Sequence, residues 1–540
     1  MTAFLFSIRM GRWGLAGFSL LAFASSLLQT EGFYRIAGGT AAARASFGRS
    51  MTVVATQLST ILPPPSRPDT PGGYVEWRSF GGLAILFSVW ALVAAAGAAR
   101  GDEERGLVES VLATSTSRFR LVAARIAAFA AGSFAAALAG GLGFAVGVRL
   151  AGDQVSSAPI VEVALVLCSL AVACYALVHL VAQVTGARAA AGTAALVLVA
   201  LFFDNSLSRV YPSLSSWRWL SPYRYYELSR PLAPGGPFDL RATLTLFLAA
   251  LALGALAGLA FGARDLGSPL FRLPAGARPT TYSSSRSPAW RVAVLRGLYD
   301  RRLGLAAWAT LTSALGIVLV GLTKAVLEPL LSIRALTPYL LAFVHGGLYA
   351  SFLSFTWLAV AELLFAAFAI AAVARWAAED VDGRLELTLA NPMSRAAVVM
   401  ERALVVLLGA AFVAALSGLA VAYAAHSQGI EVDRAQLAAA MLLLVPFCLV
   451  FASIGSLLAA WNPRAAVGVL GGLVFASYLA QQLGPVFRWP DWIQHLSVFK
   501  LYGTPLTDGV DGGGLEIMIA IIVAGFGASI LVMRRRDVGA

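Results

Sequence analysis

Lysine is almost absent from this 540-residue chain: only Lys324 and Lys500 occur among 40 basic residues. Charged residues of either sign make up 13% of the sequence, about half the ~25% of soluble domains. That scarcity excludes a water-soluble enzyme and a disordered chain. Cysteine is equally sparse. Cys168, Cys174 and Cys448 all lie inside apolar runs, which excludes a disulfide framework or a metal-binding spacing. No G-x-x-x-x-G-K-[ST] stretch is present, since Lys324 stands in Leu-Thr-Lys-Ala and Lys500 in Phe-Lys-Leu. The chain therefore has no loop to cradle nucleotide phosphates. No paired Asp, His cluster or metal spacing recurs at the ends of the apolar runs, which argues against a membrane-embedded transferase.

What is present is apolar. Hydrophobic residues reach 59% and the mean hydropathy is +0.78, the signature of an all-α polytopic membrane protein. The formal net charge of +12 resides in arginines scattered through loops between apolar runs. Excess arginine in short loops is a topology signal, and no basic stripe marks a nucleic-acid surface, so no nucleic-acid partner is expected.

A span needs about 20 apolar residues to cross the hydrocarbon. Twelve runs qualify, at 11–28, 80–99, 122–148, 159–184, 189–203, 242–261, 304–322, 353–373, 403–424, 437–460, 465–480 and 515–533. The first is read as a span rather than a cleaved leader, although Arg9 and Arg12 precede it. Arginine counting puts both termini in the cytoplasm: Arg9, Arg12, the 100–120 loop, the central segment from Arg264 to Arg302 and the tail Arg534–Arg536 then share one side.

The chain repeats itself. Gly106 matches Gly383, Glu109 matches Glu386, Ser117-Arg118 matches Ser394-Arg395 and Arg125 matches Arg402, each pair 277 residues apart. Leu220-Ser221-x-x-Arg224-x-Tyr226 is echoed by Leu496-Ser497-x-x-Lys500-x-Tyr502. Six spans per half is an even number, so both halves enter from one side, as parallel repeats about a pseudo-two-fold axis along the membrane normal. The expected organisation is a six-helix half (1–263), a Ser-, Pro-, Gly- and Arg-rich cytoplasmic linker (264–300) and a second six-helix half (301–540).

The repeated loop follows the second span of each half. Val108 and Leu112, and Leu385 and Leu389 in the twin, give each copy an i, i+4 apolar edge. Carboxylates surround it: Asp102, Glu103, Glu104 and Glu109 in one copy, Asp380, Asp382 and Glu386 in the other. A short amphipathic helix presented once per half suits a two-fold soluble partner; the plainer alternative is a helix cap that balances arginines.

This block, with Gly106, Glu109, Leu112 and Ser117-Arg118 in one copy and Asp382-Gly383, Glu386, Leu389 and Ser394-Arg395 in the other, resembles the signature of type-2 ABC exporter permeases. The fused twelve-span form is similar to permeases for tetronasin-like polyketide antibiotics. The first copy departs from the pattern at Arg105 and Ser115; the second keeps Asp382 and Pro392. The resemblance implies that the loops are coupling helices for two copies of a cytoplasmic ABC ATPase. ATP and Mg would sit on that partner, and this chain would carry no cofactor of its own. It also implies a bacterial plasma-membrane exporter of amphiphilic compounds, and short re-entrant helices forming an outer gate. Trp217, Trp219, Tyr223 and Tyr226 stand at that gate in the first half, with Trp489, Trp492, Phe499 and Tyr502 in the second. An interfacial aromatic belt explains the same residues. By the same resemblance the substrate path would be lined by Phe87, Trp90, Phe202 and Phe203, with Trp357, Phe365, Phe475 and Tyr478 opposite.

Glu362 lies within the eighth run, where a carboxylate costs about 2.5–3.5 kcal/mol and faces the bundle interior or water. It serves either cargo or helix packing. The competing function is a secondary multidrug transporter of the major facilitator type, but there the loop between second and third spans is basic, and here it is acidic.

Overall fold

The computed structural model describes residues 2–57, 63–114, 116–209, 213, 215–270, 292–332, 347–390, 393–487 and 490–536. Most of the 264–300 linker lies outside them. The described residues contain no strand. Apolar runs of this length can satisfy every backbone amide in lipid only as helices, and twelve helices are long and apolar enough to cross a membrane. The chain divides into two compact units, Met1–Thr280 and Thr281–Ala540.

In the first unit the order is α1 (Thr2–Ile36), α2 (Ala41–Gln57), α3 (Pro71–Glu104), α4 (Leu107–Leu112), α5 (Arg118–Leu150), α6 (Ser157–Val184), α7 (Ala187–Leu207), α8 (Pro222–Glu227) and α9 (Leu240–Ala263). In the second it is α10 (Ala293–Ser332), α11 (Leu348–Val381), α12 (Arg384–Leu389), α13 (Arg395–Ser427), α14 (Arg434–Trp461), α15 (Pro463–Phe487), α16 (Val498–Tyr502) and α17 (Gly512–Arg535). The helices overrun the apolar runs that announce them. The second begins at Pro71, because Thr70 caps it and Pro71 starts it, not at Phe80 where the unbroken apolar run starts.

Within each unit the fourth span is the core. The apolar stretch of α6 is 78% buried and that of α14 is 72% buried, against 17–44% for the other ten. The other spans therefore pack around these two and turn a face outward. In the first unit α1 lies against α5 through small residues. A Cβ on Gly147 would meet Thr30 at 2.7 Å, and one on Gly143 would overlap the Phe23 carbonyl. Such small-x-x-x-small pairs let helix backbones approach where lipid gives no hydrophobic push between helices. The three cysteines are free and buried.

Candidate functional site

The short helices α4 and α12 are built alike. Chain reversal at the end of the second span needs one residue in the left-handed region. Gly106 takes φ +70° and Gly383 φ +71°, a conformation that costs a residue with a Cβ about 1–2 kcal/mol. Each glycine amide then bonds back to the span, Gly106 N to Glu103 O at 3.0 Å and Gly383 N to Asp380 O at 3.1 Å. Val108 points inward onto Leu121, Val122, Ala257 and Phe261, with Leu112 beside it. Leu385 is likewise buried, with Leu389 packed against its unit's core.

The Ser-Arg pair that follows has a mechanical role. Ser117 Oγ accepts from Arg120 N at 3.2 Å and Ser394 Oγ from Ala397 N at 3.1 Å, capping the third span of each half. Arg118 reaches across to the last carbonyls of α9, donating to Phe261 O at 3.0 Å and Arg264 O at 2.5 Å. Arg395 does the same at the end of α17, to Met533 O and Arg536 O, both at 2.6 Å. Terminal helix carbonyls lack intrahelical partners, and a cation beside them also complements the helix dipole.

The carboxylates separate into two classes. Asp102 turns inward to Arg125 at 2.7 Å, and Arg125 also donates to the Ala98 carbonyl. In the second half Glu379 meets Arg402 at 2.9 Å. Glu103 receives both ends of the Arg264 guanidinium, at 2.8 and 2.6 Å, the Arg100 guanidinium at 3.2 Å and the Gly267 amide at 2.5 Å. Arg100 also caps α6, donating to Ala182 O and Thr185 O at 2.6 Å. Asp380 receives Arg536 at 2.5 Å. Asp102, Glu103 and Asp380 are thus committed inside their own halves. Glu104, Glu109, Asp382 and Glu386 are exposed, with Asp382 paired among the described residues to the nearby Arg384 alone. Arg100, Arg264, Glu379 and Arg536 escape a reading by motif. The one sequence clue is that acid and arginine recur 23 residues apart in both halves, at 102/125 and 379/402.

Next to this hairpin the first half forms an open-sided 430 Å³ cavity between α1, α3, α5 and α6. Leu15, Trp90, Phe129 and Tyr175 form its walls, and Asp102, Arg105 and Arg125 its charged end. Of the residues expected to line a substrate path, Trp90 is on this wall, stacked on Phe18 at 4.6 Å. Phe87, Trp357 and Phe365 are fully buried in the cores of their own halves. Phe202 packs edge-on to Tyr223 at 5.3 Å, and Tyr478 to Phe499 at 5.5 Å. Phe203 and Phe475 are exposed. Glu362 is half-buried and makes no hydrogen bond or ion pair among the described residues. It lies within electrostatic reach of Tyr502, whose phenol is held well above its usual range by burial and then by this carboxylate.

The segments before the last span of each half are anchored by tyrosine. Tyr226 Oη donates to Phe80 O at 2.9 Å, and Tyr502 Oη donates to Ala440 O at 3.0 Å. Tyr223 and Phe499 are buried beside them, whereas Trp217, Trp219 and Trp492 are exposed. Trp489 lies outside the described residues. A further anchor comes from Glu76, buried in α3, which accepts from Ala233 N at 3.1 Å. The apolar-run criterion hid it, since Glu76 and Arg78 interrupt the run. Among the described residues no group of three or more His, Cys, Asp or Glu side chains is placed to hold a metal ion.

No curated protein matches the sequence. The family described as "Multidrug efflux system permease Rv1217c, C-terminal domain" matches residues 75–262 and 298–534, a range that holds both short helices, the Asp102–Arg125 and Glu379–Arg402 pairs and eleven of the twelve spans in whole or large part, and that stops two residues short of Arg264 and of Arg536. The chain belongs to this multidrug efflux permease family.

Proposed function

We propose that this transmembrane efflux permease is the membrane subunit of an ATP-driven (ABC) exporter of amphiphilic compounds, such as polyketide antibiotics. The observation that carries the reading is the matched construction of α4 and α12: each is pinned by a left-handed glycine, a capping serine and an arginine clasp, and each leaves carboxylates exposed. Glu104 and Glu109 at and beside one, and Asp382 and Glu386 at and beside the other, are the exposed carboxylates that meet a partner. Two copies of a cytoplasmic ATPase, holding ATP and Mg, dock there, one per half. Both termini are cytoplasmic in a bacterial plasma membrane, on the side where the ATPase docks.

Rigid attachment matters for the mechanism. A partner that closes on ATP shifts the inward–outward equilibrium only by the difference in its interaction with the two states. A short helix tied to three spans passes that difference to the span ends. The 430 Å³ cavity, apolar with a charged end, falls in the ~300–1,000 Å³ range of small-molecule sites and supports an amphiphilic cargo. Reconstitution in vesicles with and without the ATPase tests the reading. Export should need both the ATPase and ATP. Uphill transport by this chain alone on a proton or sodium gradient would overturn it.

A further inference from the structure

The second half carries, at the end where α12 sits, a hollow of 70 Å³ between α10, α11 and α13. Leu305, Trp308, Phe368 and Val405 line it on one side, and Arg301 and Arg375 on the other. Trp308 and Phe368 meet edge to face at 5.7 Å. Arg301 is half-buried and Arg375 exposed, and neither makes a hydrogen bond or ion pair among the described residues. The charges nearby are partly spent on one another: Arg402 pairs with Glu379 at 2.9 Å, Glu401 lies within electrostatic reach of Arg296, Arg301 and Arg402, and Glu379 lies within reach of Arg301 as well. Arg296, Arg301, Arg375 and Arg402 against Glu379 and Glu401 leave the site with surplus positive charge.

Two arginines at the end of apolar spans, neither hydrogen-bonded nor ion-paired among the described residues, stand beside an apolar aromatic wall and are poised for an anion that arrives with a hydrocarbon tail. We propose that this hollow seats the headgroup phosphate of an anionic phospholipid from the leaflet on the α12 side, with an acyl chain along Leu305, Trp308 and Phe368. Its size decides against cargo, since 70 Å³ is well below the ~300 Å³ at which drug-sized sites begin. Basic pockets between spans are a recognised way of holding acidic lipid headgroups. The first half differs at the positions that matter: the residue 277 before Arg375 is Ala98, and the buried arginine of its cavity, Arg125, is already paired with Asp102. The site is therefore specific to the second half. The inference rests on membrane embedding alone and holds whether or not an ATPase drives transport.

Native mass spectrometry of the full chain tests it, by titration with phosphatidylglycerol and, separately, phosphatidylcholine of the same chain length. Phosphatidylglycerol should bind more tightly. Arg301→Gln or Arg375→Gln should each weaken that binding about fivefold, and the double variant about 25-fold, with phosphatidylcholine unaffected. Arg302→Gln removes the same charge from the exposed neighbour, whose guanidinium donates to Tyr299 O at 2.8 Å, and should bind as wild type. Arg375 is exposed and makes no hydrogen bond or ion pair among the described residues, so its variant carries the test if Arg301→Gln does not fold. Equal binding of the two lipids overturns the proposal, as does an Arg302→Gln loss as large as that of Arg375→Gln. Displacement of phosphatidylglycerol by an equal concentration of inorganic phosphate also overturns it, because the site would then take free phosphate and not lipid.

Discussion

The two halves use the same fasteners but load them differently. In both, a carboxylate at the end of the second span grips an arginine just past the sixth: Glu103 with Arg264 in the first and Asp380 with Arg536 in the second. The first half adds Arg100, which binds Glu103 and caps α6; the position 277 later is Ala377. The Arg264 and Glu103 side chains are 1% and 4% exposed, the Arg536 and Asp380 side chains 25% and 9%. One junction is thus a closed cluster of three charges, and the other a single pair open to solvent on its cationic side. A shared position holds a shared job, while burial sets how much depends on it.

The largest expected effect comes from breaking that contrast. Glu103→Gln strips the counter-charge from two buried arginines and should cost about 3–5 kcal/mol, the range for breaking a buried ion pair. Asp380→Asn leaves one arginine that can reach water and should cost about 1 kcal/mol, near the value for surface pairs. Thermal unfolding in detergent reads both. Equal losses would mean that the open pair is as essential as the closed cluster.

The same junctions mark where sequence reading stops. The number of spans is legible because twelve apolar runs are each long enough to cross and are separated by polar loops. The start of the second span is not, since Glu76 and Arg78 break the apolar run while Thr70, Pro71 and the Ala233 amide carry the helix onward. The short helices are legible from Gly106 and Gly383 and from the i, i+4 apolar pairs. The split among their acids is not. Glu103 and Glu104 are adjacent and chemically alike, yet one is buried because Arg264 lies 161 residues away in sequence and beside it in space. Local pattern carries no information about such distant partners.

Smaller effects should be symmetric between the halves. Gly106→Ala and Gly383→Ala each force a Cβ into the left-handed region, for about 1–2 kcal/mol, and should lower the unfolding temperature alike; a loss in one half only would mean that the two hairpins are not equivalent. Tyr226→Phe and Tyr502→Phe remove hydrogen bonds to Phe80 O and Ala440 O, worth about 0.5–1.5 kcal/mol each. Should these variants also change efflux at unchanged protein level, the tyrosine-anchored segments act in gating as well as in packing.

The smallest effect on stability is the most informative about function. Glu109 and Glu386 are exposed, so Glu109→Gln and Glu386→Gln should each shift stability by no more than about 0.5 kcal/mol. If α4 and α12 dock an ATPase, each variant should weaken that association about fivefold, the upper range for an exposed ion pair, and the loss should shrink as salt rises. The double variant should lose close to the product of the two, because the carboxylates sit on separate helices and share no partner within their own halves. Equal single losses would make the halves equivalent docking sites. A loss confined to Glu386→Gln would instead trace to the first copy's departure at Arg105, whose cation beside Glu104 offsets the acidic face that the second copy keeps with Asp382.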